Sequence, residues 1–515
     1  MKQLPSIFND VIGPVMRGPS SSHTAASWRI ARTALDILNE GLRKACIEFA
    51  EDGAWAPNYR EQGTCMGING GLLGLEITDP AMKDTDNLAI EKEIEISYRV
   101  SSFETSHANT VRLTLWGTSN KKVQIVAISK GGGSFQIQSV NGYNVQINGD
   151  LYEILFFTNM KDDLESMLPK GIDLQVCEKE NSYLFKLKSS LPFSSDFILQ
   201  LQKKSGVEDI SIVNPILPVV SGRQTPMPFG SIDSLLSYAD EIQMDLGDLG
   251  LLYEKHLSGL TESELNEKMA TLVQVVHNSI DIGLAGTKYE DRILHQQSHL
   301  ISKAEGEGKL TGSVMNNIIA NVSALMESKS AMEVIVAVPT AGSCGTVGGS
   351  LRAIAEDIQV DTKKVVKAYF AAGIVGAYFA MGPGFSAEEH GCQVECGAAS
   401  GMAAAAITQL IGGTAKQAVG AASMAIQNMI GLVCDPIADR VEAPCLGKNI
   451  SAAVNAYSSA IMAVSGFDAV IPLDQVINTV ARVSKTMPSC VKCTGKGGLA
   501  ITKEAIRIKN KLNRS

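Results

Sequence analysis

The sequence predicts a protein in three parts: an α+β N-terminal domain, a small ferredoxin-like middle domain and an all-α C-terminal bundle. Strand-like runs with a period of two fill the first part, and strands and helices in the order βαββαβ follow. From Ser234 onward the pattern is helical and rich in Ala and Gly. At roughly 100–200 residues per domain, a chain of 515 residues has room for this organisation.

The N-terminal domain is predicted to span residues 1–148. Apolar residues recur at helical spacing over residues 24–45, which predicts one amphipathic helix. Residues 91–100, 109–117 and 121–140 alternate between apolar and polar side chains, as half-buried strands do. Together these patterns indicate an α+β unit.

The middle domain is predicted to span residues 149–220, with strands at its two ends, a hairpin at its centre and helices between them. In chain order the predicted elements are a strand at 151–159, a helix at 162–171, a hairpin at 172–190, a helix at 196–206 and a strand at 207–217. The Pro and Gly residues that follow predict a linker at 221–232, and the helical bundle takes up residues 233–515.

Composition narrows the class of partner. Hydrophobic residues make up 45% of the chain, which excludes disorder as its main state, and a net charge of −9 gives no electrostatic reason to bind nucleic acid or anionic membranes. Residues 368–387 and 396–415 are uncharged and as long as a membrane span, but their Gly and polar breaks favour buried bundle helices. The first residues lack a signal-peptide pattern, so we expect a cytoplasmic protein with a small-molecule ligand.

Cysteines are crowded into the last third of the chain. Seven of the ten lie there: Cys344, Cys392, Cys396, Cys434, Cys445, Cys490 and Cys493. Of these, Cys392, Cys434 and Cys445 stand in short loop-like contexts between helical runs. From spacing alone, a metal site and ordinary burial of small apolar side chains are equally open interpretations.

Several motifs occur in one order along almost the whole chain. They are GPSSSHTAA (18–26), SHANTVRLTL (106–115) with GGG at 131–133, AVPTAGSCG (337–345), HGCQVECG (390–397), VCDP (433–436), APCLGKN (443–449) and GGLA (497–500). In these motifs the chain resembles the iron-sulfur-dependent L-serine dehydratase (L-serine ammonia-lyase) family, with its β-type and α-type portions fused. The resemblance implies that the middle domain is ACT-like and that the bundle is catalytic.

The resemblance also implies a cofactor. Cys392, Cys434 and Cys445 would hold a [4Fe–4S] cluster whose fourth iron stays open, and that iron would act as a Lewis acid on the β-hydroxyl of L-serine. The products would be pyruvate and ammonia, with no pyridoxal phosphate. Cys396 lies one helical turn after Cys392 and is the chief rival as a ligand.

Further site residues come from the other motifs. Ser20, Ser21, Ser22 and His23 precede the first helix, where hydroxyls can both cap the helix and hold a carboxylate. Ser22 and His23 are predicted to be catalytic, with His23 carrying a proton. The predicted substrate-binding residues are Ser20, Ser21, His107, Asn109, Thr340, Gly342 and Ser343.

Two positions depart from the family pattern. Gln62 stands where many relatives have a histidine that looks like the α-proton base, and an amide cannot act as a base at neutral pH. Gln62 therefore belongs to the predicted catalytic site, but either His23 takes the proton or the substrate is another amino acid, such as L-cysteine or L-threonine. The second departure is the CxxC pair Cys490 and Cys493, for which an accessory or surface role is favoured over a redox pair or an extra metal ligand.

Other function classes stay open. A non-catalytic sensor would bind an amino acid in the middle domain and report redox state through the cluster, and a glycine-rich amino-acid transporter is a third possibility. As partners we expect a small amino-acid substrate and a second copy of the chain in a homodimer, but neither nucleic acid nor membrane.

Overall fold

A six-stranded sheet organises the N-terminal region in the computed structural model, which describes residues 4–105, 107–159, 168, 172–179, 182–222 and 225–512. The elements are β1 (Val15–Met16), α1 (Ala26–Leu38), β2 (Leu42–Ala50), α2 (Thr64–Leu72), α3 (Thr85–Glu91), β3 (Glu95–Ser101), β4 (Thr110–Gly117), β5 (Lys122–Gly131), β6 (Ser134–Val140) and β7 (Tyr143–Ile147). The sheet has the order β3-β2-β4-β5-β6-β7, and only the β2–β3 pair is parallel among its described strands. Its apolar face and α1 share one core.

The helix predicted at 24–45 is too long. It ends at Leu38, because Asn39 takes the left-handed conformation (φ 55°) that commonly closes helices. The residues after Gly41 form β2, which lies inside the sheet between β3 and β4. Strands β3 to β6 match the predicted runs.

The middle region is a four-stranded antiparallel sheet with one described helix. It contains β8 (Tyr152–Thr158), β9 (Asp173–Lys179), β10 (Ser182–Ser189), α4 (Ser195–Lys203) and β11 (Val207–Val213), and its strand order is β11-β8-β10-β9. The helix predicted at 162–171 lies outside the described residues except for Leu168. The edge strand β11 contacts α1, where Ser211 Oγ donates to the Ile37 carbonyl (2.6 Å).

The C-terminal region is helical, as predicted, apart from one two-residue strand. Its elements are α5 (Ile232–Ile242), α6 (Leu246–Ser258), α7 (Glu262–Ala285), α8 (Ser298–Gly306), α9 (Ser313–Ser330), β12 (Ile335–Val336), α10 (Cys344–Asp357), α11 (Thr362–Met381), α12 (Ala387–His390), α13 (Cys396–Leu410), α14 (Ala415–Gln427), α15 (Cys445–Val464), α16 (Leu473–Thr486) and α17 (Lys503–Leu512). Short 3₁₀ turns lie at Ala341–Ser343, Cys392–Val394, Ile437–Asp439, Ser489–Val491 and Gly498–Ile501.

Helix α11 is, among the described helices, the one long and apolar enough to cross a membrane by length and composition. In the structure 72% of that stretch is buried against other parts of the protein. Helix α13 is likewise buried along nearly its whole length. Both uncharged stretches are therefore bundle helices, as the sequence predicts.

Residues 6–16 pack into the helical bundle. Ser6 Oγ and the Ile7 amide donate to the buried carboxylate of Glu254 (2.6 and 2.7 Å), and β1 pairs with β12. Gly376 of α11 lets the Ile7–Val11 turn approach, because a Cβ at that position would lie 2.2 Å from Val11 Cγ1. The N-terminal region is thus anchored to the bundle by its own first turn.

We expect Gly376→Ala to destabilise the protein by about 1–3 kcal/mol, the usual cost of overpacking a filled core. Gly420→Ala is the matched control, since a Cβ at this helical glycine would find its nearest neighbour at 3.9 Å. The control should be neutral or stabilising by up to about 1 kcal/mol, because Ala is the better helix former. Urea unfolding of both variants measures the difference, and equal stabilities would contradict this role for Gly376.

Glu48 joins three strands of the N-terminal sheet. It lies on β2 and accepts hydrogen bonds from Arg112 of β4 (2.7 and 2.8 Å) and Arg99 of β3 (2.9 Å). The hydrogen bonds from Arg112 above all, and then those from Arg99, lower the pKa of the Glu48 carboxyl from 4.5 to about 2. The folded state therefore prefers the charged carboxylate.

This lowered pKa predicts a pH dependence of stability. The contribution of Glu48 is fully present above pH 4.5 and is lost as the pH falls from 4.5 towards 2. Glu48→Gln should therefore be less stable than the wild type at neutral pH, and the difference should shrink within that window. Urea unfolding over a pH series measures this, with Glu51→Gln, an exposed neighbour just after β2, as the control.

Candidate active site

The Ser-rich turn before α1 lies against the helical bundle. Ser20 accepts a hydrogen bond from the His23 amide (3.4 Å), so the helix-capping interpretation is confirmed for Ser20. Ser21 Oγ accepts from the amide of Ala341 (3.2 Å), which belongs to the TAGSCG loop. The same hydroxyl-rich turn therefore caps a helix and contacts the bundle.

His23 is completely buried and has partners on both ring nitrogens. Its Nε2 lies 3.1 Å from Asn58 Oδ1, and its Nδ1 lies 3.2 Å from Ser20 Oγ and 3.1 Å from Ser22 Oγ. With Nε2–H donating to Asn58, Nδ1 is left as the acceptor and faces the two serines. Burial lowers the pKa of His23, and the nearby carboxylate of Glu388 partly offsets that effect.

Glu388 connects this turn to the bundle, and nothing in the sequence singled it out. It lies on α12, and its Oε1 accepts from Ser22 Oγ (2.7 Å) and lies 3.5 Å from His23 Nδ1. Its Oε2 accepts from Ser386 Oγ (3.0 Å). The turn at 131–133 fixes this segment, because Gly131 (φ +92°) approaches so closely that a Cβ would lie 2.8 Å from the Ser386 amide nitrogen.

Five buried cysteines come together beside the junction, by which we mean the contact between residues 20–23 and helix α12. They are Cys392, Cys396, Cys434, Cys445 and Cys493. Cys392 and Cys396 exchange a thiol hydrogen bond, as do Cys434 and Cys493, and Cys445 lies within electrostatic reach of Cys392. The structure thus brings together the three predicted metal ligands and adds two thiols.

Cys392 is the one of these five thiols whose pKa is lowered. The hydrogen bond from Cys396 and then the positive charge of Lys448 lower the pKa of Cys392 to about 7, although burial opposes them. Burial raises the pKa of Cys445 to about 12. Lys448, which lies in the APCLGKN motif, is held in place by Asp435 (2.6 Å) and the Val433 carbonyl (2.7 Å).

The two cysteines of the CxxC pair near the C-terminus lie in different environments. Cys490 is exposed, in agreement with a surface role, whereas Cys493 is buried, so for Cys493 the surface part of that interpretation is wrong. Backbone hydrogen bonds pair Cys434 with residues 491–493, and this places the Cys493 side chain among the buried thiols. Sequence separation hid this contact, since 58 residues, including helices α15 and α16, lie between Cys434 and Cys493.

Gln62 reaches the thiols from the N-terminal side. Its Nε2 lies 3.8 Å from Cys493 Sγ, and its Oε1 is buried without a hydrogen-bond partner among the described residues. A cavity of about 310 Å³ opens beside it, lined by Arg60, Glu61 and Gly63 and, from the bundle, by Arg440. Gln62 itself is fully buried and does not line this cavity.

The TAGSCG loop borders the thiols on another side. Thr340 Oγ1 lies 2.8 Å from Glu395 Oε1 and 3.1 Å from Ser343 Oγ. The carbonyl of Gly342 accepts from Asn449 Nδ2 (2.7 Å), and the same amide nitrogen lies 3.7 Å from Cys396 Sγ. Burial, and then Cys392 and Glu388, raise the pKa of Glu395 to about 8. The three residues predicted in this loop, Thr340, Gly342 and Ser343, thus lie beside the buried thiols.

The two residues of the SHANT motif have different environments. His107 Nε2 lies 3.4 Å from the half-exposed carboxylate of Glu389, so its ring is directed away from the buried site. Asn109 is fully buried, and neither atom of its side-chain amide has a hydrogen-bond partner among the described residues. A ligand or water could supply those hydrogen bonds, whereas His107 has its own partner.

The site also contains residues that the sequence analysis missed. They are Asn58, Glu388, Glu395, Lys448 and Asn449, together with Lys329, whose positive charge acts on Cys445 and Glu395. Lys448 and Asn449 stand inside the APCLGKN motif and Glu395 stands inside HGCQVECG, so these three could have been selected as polar neighbours of the cysteines. Asn58, Lys329 and Glu388 lie in segments whose approach to the site is set by tertiary packing alone.

The donor set has the chemistry of a thiolate-bound cofactor. Within the described ranges, no three His, Cys, Asp or Glu side chains lie close enough together to hold a single metal ion. A four-iron cube keeps its thiolate ligands further apart than one ion does, and buried Cys is its usual ligand. Five buried thiols from several segments of the chain are donors of the kind that an iron–sulfur group uses.

Comparison with known proteins identifies the family. The family model described as serine dehydratase alpha chain matches residues 92–500. The chain belongs to the serine dehydratase alpha-chain family. It is 33% identical over 285 residues to the probable L-serine dehydratase alpha chain of Bacillus subtilis, a match that covers 55% of this chain and 95% of the relative.

Two other dehydratase relatives also match about half of this chain. The L-serine dehydratase alpha chain of Peptoniphilus asaccharolyticus is 33% identical over 277 residues, 53% of this chain and 95% of that protein. L-serine dehydratase 1 of Escherichia coli is 34% identical over 284 residues, 54% of this chain and 62% of that protein. This chain therefore joins an alpha-chain portion to a further N-terminal region.

The burial of the two CxxC cysteines predicts different reactivity. In the reduced, metal-free protein we expect iodoacetamide to modify Cys490 rapidly and Cys493 only after unfolding, since a buried thiol is shielded from the reagent and from water. Peptide mass spectrometry over a time course measures both sites in one sample. Equal rates would contradict the placement of Cys493 beside Cys434.

Proposed function

We propose that this chain is an L-serine dehydratase, which converts L-serine to pyruvate and ammonia. One observation carries the proposal: within a single chain, Gln62 of the N-terminal region contacts the buried Cys493, and Ser22 and His23 contact Glu388, four residues before Cys392. The printed names of its relatives support the same activity.

We propose a [4Fe–4S] cluster as the cofactor, held by Cys392, Cys434 and Cys445. The three thiols come from separate segments and lie buried together, which is the donor set that such a cluster requires. When bound, the cluster would supply a Lewis-acidic iron that helps the β-hydroxyl to leave. Cys396 and Cys493 remain the alternative ligands, and no pyridoxal phosphate is involved.

The chain's own residues bind the amino acid and move its proton. The hydroxyls of Ser21 and Thr340 lie on the two sides of the junction and can hold the substrate carboxylate, together with Ser20 and Ser343. His23 takes the α-proton, with Ser22 between it and the substrate, because Ser22 Oγ contacts Nδ1 at 3.1 Å. Burial excludes water from these groups.

A second candidate keeps the chemistry and changes the substrate to L-cysteine or L-threonine. Gln62 favours this alternative, because its unpartnered Oε1 can accept a hydrogen bond but cannot remove a proton. The Gln62 amide therefore selects the substrate through its hydrogen bonds with the β-substituent. The β-substituent that it accepts decides which amino acid is turned over.

The remaining parts of the proposal concern organisation. We propose that the middle region is an ACT-like domain, supported by its strand order β11-β8-β10-β9, which is that of ferredoxin-like units. We also propose the domain limits 1–148, 149–220 and 233–515 with a linker at 221–232, a homodimer as the working assembly, and a cytoplasmic location.

The proposal is tested by anaerobic reconstitution with iron and sulfide, followed by keto-acid and ammonia assays on L-serine, L-cysteine and L-threonine. We expect cluster absorbance and turnover of L-serine. Cys434→Ala should lose both, whereas Cys490→Ala, an exposed cysteine, should retain both. A cluster that survives Cys434→Ala unchanged would contradict the ligand set, and turnover of another amino acid alone would select the second candidate.

A further inference from the structure

We infer that Glu388 is the positioning residue for His23, so that a Glu388–His23 pair with Ser22 as its bridge handles the substrate α-proton. This inference rests on the proposed dehydratase function. It concerns a carboxylate that belongs to none of the motifs used to define the site.

The geometry of the pair spans the two halves of the molecule. Glu388 Oε1 lies 3.5 Å from His23 Nδ1, and Ser22 Oγ lies within hydrogen-bond distance of both, at 2.7 Å from Oε1 and 3.1 Å from Nδ1. The side chain of Glu388 is only 4% exposed and that of His23 is not exposed at all. The three groups thus form a closed triangle shielded from solvent.

The remaining contacts fix each partner in place. Asn58 holds Nε2 of the ring, which leaves Nδ1 as the nitrogen that gains a proton. Ser386 holds Oε2 of Glu388, and the glycine turn at Gly131 presses on the Ser386 backbone. The imidazole and the carboxylate are therefore both held by the fold before any substrate arrives, which is what a proton-transfer pair needs.

In the proposed elimination, Glu388 stabilises the protonated form of His23. The Cα–H bond breaks, its proton passes through Ser22 to His23 Nδ1, and its electron pair forms the Cα–Cβ double bond as hydroxide leaves. The imidazolium then returns the proton to that hydroxide as water. A buried imidazolium is costly in free energy without a counter-charge, and Glu388 supplies one at 3.5 Å.

The charges around His23 make the effect testable by pH. Among the described residues, Glu388 is the charged side chain that contacts His23. The other side chains that contact His23 are uncharged, namely Ser20, Ser22, Asn58 and Trp55. Burial lowers the pKa of His23, and the Glu388 carboxylate raises it again. Removing that charge must therefore lower the pKa further, and the acid limb of kcat/KM, where the base becomes protonated, must move to lower pH.

The experiment compares Glu388→Gln with Glu389→Gln in the anaerobically reconstituted enzyme. We expect Glu388→Gln to reduce kcat about 10²–10⁴-fold, the range of a positioned proton-transfer group, with a smaller change in KM and an acid limb at lower pH. Glu389, the next residue on α12, is 41% exposed, so its variant should keep the wild-type profile. Cluster absorbance should be unchanged in both variants, which separates this role from cofactor binding.

Glu388→Asp completes the series, because it keeps the charge but withdraws it from His23. Its kcat and acid limb should lie between those of the wild type and Glu388→Gln, and it carries the test alone if Glu388→Gln does not fold. A wild-type pH profile in either variant would overturn the inference.

A separate readout keeps the inference distinct from the proposed function. If the wild type turns over no amino acid, the proposed function fails, but His23 can still be titrated by NMR of ¹³C-labelled histidine, with His23→Gln to assign its signal. The Glu388 variants should then titrate at lower pH than the wild type, and an unchanged His23 titration would overturn the pairing.

Discussion

The hydrogen bond from Ser22 to Glu388 (2.7 Å) is the contact on which the site depends, because the groups able to move protons and the groups able to hold a metal cluster lie on different halves of the chain. The first turn of the chain, buried in the bundle against Glu254, holds the N-terminal region at the right position. The glycine turn at Gly131 then sets the approach of the segment that carries Glu388. Displacement of either anchor would separate Ser22 from its partner and divide the site.

Electrostatics explain why this junction is both tight and buried. Glu388, Glu395 and the thiols place several acidic groups where water is excluded, and charges in such surroundings are costly unless they are paired. Hydroxyl groups donate to Glu388, the pKa of Glu395 is raised, and the cation of Lys448 lies beside Cys392. A positive cofactor or the ammonium group of an amino acid would relieve the same charge.

Sequence patterns predicted the fold well where secondary structure is local and poorly where it depends on distant partners. The strands β3 to β6, the hairpin β9–β10 and the helices of the bundle follow from periodicity. The end of α1 was missed because the decisive feature is the left-handed backbone of Asn39, which an amphipathic pattern does not reveal. In the site, the motifs supplied Ser22, His23 and the three cysteines. Glu388 and Cys493 were not predicted as site residues, since each enters through a contact between segments far apart in the chain.

Gln62 shows how the buried polar groups constrain the substrate. Its Nε2 is directed at Cys493, while its Oε1, like the side-chain amide of Asn109, has no hydrogen-bond partner among the described residues. A buried polar atom without a partner costs about 1–3 kcal/mol, so a ligand that supplies the missing donors and acceptor gains that free energy on binding. A substrate that leaves these atoms unpaired gains nothing from them. Under the proposed function, discrimination among β-substituted amino acids would arise from hydrogen bonds at Gln62, while the Glu388–His23 pair would handle a proton that all of these substrates share.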